Sequence, residues 1–106
     1  DFELVPYDRL EEVAGGTREV IAFTFAHRGA FYAVYWHISG DKRLELPLPP
    51  STVEVLEALG RPLPALAGER PDTTVVPLGK RRYLKTSLAQ REALRAALAK
   101  ARILDL

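Results

Sequence analysis

The chain has 106 residues, with 15 Lys and Arg against 14 Asp and Glu, and contains neither cysteine nor methionine. A single domain of this length buries roughly two thirds of the surface its unfolded form exposes, so it can fold on an apolar core alone; the missing thiols exclude disulfides, iron–sulfur clusters and thiolate zinc sites. A net charge of +1 gives no general attraction to nucleic acid or anionic membranes, and no apolar run approaches the roughly 20 residues of a membrane-spanning helix.

The chain starts at Asp1 and shows no charged segment followed by an apolar one, so no targeting signal is visible and a fragment of a larger protein is expected. Asn is absent, Gln90 is the one glutamine, and Arg outnumbers Lys, a composition that suits a thermostable source and a biased genome equally. The lack of cysteine permits the cytoplasm without demanding it.

Residues 19–27 and 30–38 alternate in the two-residue rhythm of half-buried strands and flank Arg28-Gly29, a link whose glycine can take the positive φ of a tight hairpin. If His27 pairs with Ala30, then Phe25 faces Tyr32, Phe23 faces Val34 and Ile21 faces Trp36. These six large side chains are expected to form the core face. The opposite face carries Ala22, Thr24, Ala26, Phe31, Ala33, Tyr35 and His37, too apolar to be left wholly in water, so some other element should cover part of it.

After a polar turn at 39–42, residues 43–48 alternate again and are expected to pair back on the preceding strand as a meander, until Pro49-Pro50 interrupts the ladder. Residues 52–60 fit two readings. Ser51 with Glu54 suggests a capping box and Gly60 a helix end, whereas Val53, Val55 and the alternating glutamates suggest a strand closing in a Gly-Arg-Pro turn, the reading preferred. Residues 63–71 read as loop, and 73–78 with 81–86 as a terminal hairpin across Gly79-Lys80. Ser87 with Gln90, followed by apolar positions at helical spacing, predicts an amphipathic helix over 87–104, able to cover the outer face of the hairpin. The expected fold is an all-β antiparallel sandwich over 1–86 with one C-terminal helix.

Chemistry has few candidates. His27 and His37 lie far apart along one ribbon, no serine sits in a nucleophile elbow, and Asp41 with Glu45 reads as a solvated turn and an outward strand position. No catalytic residue, metal site or cofactor is expected. Lys80, Arg81, Arg82 and Lys85 surround Tyr83, a pattern that would hold phosphates and stack a base, or would protect an edge hairpin from aggregation. With charge near balance and no nucleic-acid motif, the protective role is favoured and nucleic acid is not expected as a partner. Phe31, Tyr35 and His37 on the outer face are the candidates for ligand binding or for an interface, by stacking on a sugar or packing on another domain, whereas Trp36 is assigned to the core.

Three consecutive pieces carry a resemblance: Tyr32-Ala-Val-Tyr-Trp-His-Ile-Ser-Gly-Asp-Lys-Arg-Leu-Glu-Leu-Pro-Leu48, Val53-Glu-Val-Leu-Glu-Ala-Leu-Gly-Arg-Pro-Leu-Pro64 and Thr74-Val-Val-Pro-Leu-Gly-Lys-Arg-Arg-Tyr-Leu84. Their order resembles the small antiparallel β-sandwich domains that follow the catalytic barrel in many glycoside hydrolases. It departs from them at Ala58, where Asp is common, and in the helix after Ser87. The resemblance implies a non-catalytic accessory domain that stabilises or assembles the catalytic domain of the same chain, with a carbohydrate-binding module as the alternative. It transfers no catalytic residue and leaves homo-oligomerisation open.

Overall fold

The computed structural model describes residues 7–106; the first six residues of the expected 1–86 sandwich lie outside that range. Two antiparallel sheets carry the described chain. The larger has the order β1 (Asp8–Arg9), β2 (Val20–His27), β3 (Ala30–His37), β9 (Arg82–Ser87), β5 (Glu54–Glu57), β6 (Pro62–Leu63). The smaller has the order β10 (Arg102–Leu104), β4 (Lys42–Leu46), β8 (Thr74–Leu78), β7 (Leu66–Ala67). A short 3-10 turn, Leu88–Gln90, leads into α1 (Arg91–Ala99). The protein is a mainly β sandwich with one helix.

The hairpin register is the one read from the sequence: His27 opposite Ala30, Phe25 opposite Tyr32, Phe23 opposite Val34 and Ile21 opposite Trp36. Arg28 and Gly29 both take positive φ, 50° and 80°, which matches the right-handed twist of the flanking strands. The expected facing is reversed. The main core lies on the side of Ala22, Phe31, Ala33 and Tyr35, packed against Leu44, Leu46, Val76 and Leu78 of the smaller sheet and Leu94, Ala97 and Leu98 of α1. Side-chain volume explains the reversal. Packed sheets stand roughly 10 Å apart, a gap that Ala22 and Ala33 allow and six large side chains from one sheet would overfill. As expected, α1 helps to cover the alanine-bearing face.

Residues 43–48 do not return to β3, because β4 pairs with β8 and β10 in the smaller sheet. Likewise 73–78 and 81–86 form no hairpin: β8 belongs to the smaller sheet and β9 pairs with β3 and β5 in the larger. Both corners lie together. The His37 N–H donates to the Gly79 carbonyl at 2.8 Å, and a Cβ on Gly79 would fall 2.3 Å from Asp41 Oδ1, so glycine lets the two crossings pack side by side. Strand pairing that looks local in sequence is thereby spent between layers, each of which needs a partner for its apolar face. Tyr35 ties the layers, its hydroxyl donating to the Pro77 carbonyl across the sandwich at 2.7 Å.

The strand reading of 52–60 holds, with a 3-10 turn at Pro50–Thr52, β5 after it and Gly60 at φ 91° ending the strand. Two short strands appear where turn and loop were expected: β6 begins at Pro62 of the Gly-Arg-Pro turn, and β7 lies within 63–71. The helix is shorter than the expected 87–104. The Ser87 side chain makes no capping bond, α1 ends at Ala99, and residues 102–104 leave the helix to pair with β4. An amphipathic helix ends here because the open edge of β4 offers Arg102–Leu104 a ladder of backbone hydrogen bonds.

Candidate functional site

Phe31, Tyr35 and His37 form no exposed platform. They are 6%, 0% and 7% exposed and face the interior, the direct result of the reversed facing. Burial pushes the Tyr35 phenol well above its usual pKa, with the nearby Arg82 charge opposing weakly. His37 places Nδ1 2.8 Å from the Gly40 carbonyl and Nε2 3.6 Å from a Glu19 carboxylate oxygen, so both ring nitrogens serve the corner.

Glu45 is the other reversal. Expected in water, it is 2% exposed: Arg70 Nε donates to its Oε1 at 2.9 Å, and Arg102 Nε lies 3.2 Å from the same oxygen. The side chain does point away from the core as its parity requires, but the loop after β7 folds over it. A Cβ on Gly68 would stand 2.1 Å from Thr73 Oγ1 and 3.2 Å from Glu45 Oε2, so only glycine admits the loop this closely. Asp41 and Glu45 thus share no site.

The basic run also divides by parity. Arg82 pairs opposite Tyr35, sends Nη1 to the Lys80 carbonyl at 3.3 Å and keeps a buried Nε with no hydrogen-bond partner among the described residues. Tyr83 and Lys85 lie on the other side of the sheet. Lys80 and Arg81 occupy the exposed corner.

What the reversal turns outward is the aromatic face of the larger sheet. One cross-strand row runs Arg9, Phe23, Val34, Tyr83, Leu56, Pro62. Beside it runs Phe25, Tyr32, Lys85, Glu54, and on the other flank Ile21 opposite Trp36. Phe23 and Trp36 are stacked with centroids 6.0 Å apart and planes 20° apart; Phe25 and Tyr32 stack at 5.1 Å and 7°. Tyr7 stands edge-on to Phe25 at 4.9 Å. Phe25, Tyr32 and Val34 are buried by these neighbours, while Phe23, Trp36 and Tyr83 stay half-buried at the surface.

The half-buried rings define a groove of about 350 Å³ lined by Tyr7, Phe23, Val34, Trp36, Arg81 and Tyr83. A second depression, of about 470 Å³, shares Trp36 and Arg81 with it and is completed by His37, Gly40, Asp41, Gly79 and Lys80. Flat rings on a strand framework, with charged side chains at one end, can take a ligand with an apolar face and polar edges. No protein family, curated protein or solved structure matches the chain. The groove therefore rests on its own geometry. Among the described residues no cluster of three or more His, Asp or Glu is placed to hold a metal ion.

Sequence reading named Tyr83 and Arg81 but set both Phe23 and Trp36 in the core. Alternation establishes that Phe23 and Trp36 share a face with Phe25, and leaves open whether that face looks in or out. The two alanines opposite, Ala22 and Ala33, were the available signal.

A second surface lies where the sandwich is open. Residues 58–67 turn out of β5, form the edge strand β6, cross between sheets and form the edge strand β7. Leu59 is 85% and Leu66 60% exposed, and Ala58, Pro62, Pro64 and Ala67 are exposed with them.

Proposed function

We propose that the chain is a non-catalytic accessory domain of a larger carbohydrate-active enzyme, a glycoside hydrolase, and that it stabilises or assembles the catalytic domain. The observation that carries this is the apolar edge at 58–67, where two leucines and two prolines stand in water on one continuous stretch of backbone. Docking would bury several hundred Å² per side, the usual scale for domains within one chain. The order of the three segments quoted above, which resembles appended sandwich domains of glycoside hydrolases, supports the same reading. So does the state of the acid–base candidates: His27 and His37 stand at opposite ends of one hairpin, and Glu45 is occupied by two arginines.

The test is to express the encoded protein whole and to compare its domain melting temperature with that of this chain. The expected result is a higher melting temperature in the whole protein, lowered by Leu59→Glu with Leu66→Glu, while the same pair leaves the separate chain unchanged. Equal melting temperatures, with no effect of the pair, would overturn the proposal. A second reading, direct contact with glycan, is favoured by the Trp36 groove, because stacked rings beside a polar corner suit a sugar better than they suit a broad flat interface.

A further inference from the structure

We infer that the trough shared by Trp36 and Arg81 is a subsite for a pyranose ring carrying an anionic group, a carboxylate or a sulfate. The inference rests on the second reading above, direct contact with glycan, and adds the charge of the ligand.

Trp36 and Arg81 line both depressions, so the apolar groove and the charged corner adjoin at these two side chains. On one side stand Trp36, Phe23 and Tyr83. The aliphatic C–H groups on one face of a pyranose carry slight positive charge and rest well on the negative face of such rings. On the other side stand Lys80 and Arg81, both exposed, and neither forms an ion pair with a described residue. Asp41 is the carboxylate that lines this corner, and Glu19 lies behind it at His37. Among the lining side chains themselves Lys80 and Arg81 stand against Asp41, and the guanidinium of Arg81 presents paired donors that match the two oxygens of a carboxylate or sulfate.

A single-stranded nucleic acid would use the same rings, but its phosphates require cations along the whole track. Here Lys85 lies opposite Glu54 with its Nζ 5.9 Å from the Tyr32 ring centroid, and Arg9 lies over the Phe23 ring at 6.0 Å. The cations that line the trough itself, Lys80 and Arg81, are gathered at one end. That distribution fits a ligand with a single charge beside its ring.

Trp36 is the one tryptophan in the chain, so its fluorescence reports the trough directly. The experiment titrates the chain with α-1,4-trigalacturonic acid, a sulfated trisaccharide, the neutral α-1,4-galactotriose and an oligo-dT of similar length, with backbone NMR shifts as a second readout. The expected result is that at least one acidic sugar binds about tenfold or more tighter than the neutral one, with shifts at Trp36 and Arg81. The tighter of the two names the anionic group. Arg81→Ala should erase that preference and Arg81→Lys should keep part of it, and both substitutions are at an exposed corner that the core does not use. Equal binding of the neutral sugar would overturn the anionic assignment and leave glycan contact standing. No response to any sugar would overturn both, and tighter binding of oligo-dT would overturn the inference in favour of nucleic acid.

Discussion

Replacing Tyr35 with Phe removes one oxygen from a side chain that is 0% exposed and bonded across the sandwich to the Pro77 carbonyl at 2.7 Å. The ring and its packing remain, so the loss is the hydrogen bond plus the desolvation left on its acceptor, about 1–2 kcal/mol. For a domain of this size that lowers the melting temperature by about 4–8 °C per kcal/mol. Alkali adds a second signature. Burial raises the folded Tyr35 pKa, so above about pH 10 the unfolded chain releases a proton that the folded one retains, and stability falls by up to about 1.4 kcal/mol per pH unit. Stability from the neutral phenol is therefore complete below about pH 10 and lost above it. Tyr35→Phe has no such loss, so the gap between the two proteins should close near pH 11 and then reverse. Urea unfolding followed by Trp36 fluorescence from pH 7 to 12 measures both effects, with the slope against urea unchanged. A variant as stable as the wild type at pH 7, with a parallel curve in alkali, would refute the placement of Tyr35 as a buried tie between sheets.

Gly68→Ala would put a Cβ 2.1 Å from Thr73 Oγ1 and should cost about 1–3 kcal/mol in a denaturant melt. Gly29→Ala, with φ 80° and open space around it, should cost only about 1 kcal/mol, from the left-handed backbone alone. Arg70→Ala and Arg102→Ala should each cost under about 1 kcal/mol, since both arginines are half-exposed and the other still neutralises Glu45. The double variant strands a buried carboxylate and should cost about 3 kcal/mol or more, a coupling that a double-mutant cycle reads; simple additivity would refute it. Leu98→Ala, at a side chain that is 0% exposed, should cost about 2–5 kcal/mol by calorimetry.

The register of β2 on β3 was legible because Arg28-Gly29 allows one tight link, and every pair then follows from it. The facing was not legible from alternation, since both sides of the hairpin are apolar. It is decided by Leu44, Leu46, Leu78 and Leu98, which arrive from elsewhere and need a surface with room for them. The meander and the terminal hairpin failed for a related reason: a glycine-bearing link between two strands reads the same whether it reverses the chain within a sheet or carries it to the other layer, and Gly79 does the latter. Glu45 was assigned to the right side of its strand and the wrong environment, because its cover comes from Arg70, far along the chain. At the candidate groove, Arg81 and Tyr83 were visible as a basic run with an aromatic, while Trp36 was hidden by the expectation that the largest ring is internal.

The two edge strands at 62–63 and 66–67 are only two residues each, and Pro62 and Pro64 have no amide hydrogen to give. A neighbour arriving at this edge cannot continue either sheet, since strand addition requires an uninterrupted run of donors and acceptors. Recognition by the proposed neighbour would fall to Leu59, Leu66 and the proline rings. Such a contact would impose no backbone register, so the relative placement of the two bodies could drift over evolutionary time, one side chain at a time, without breaking a hydrogen-bonded ladder.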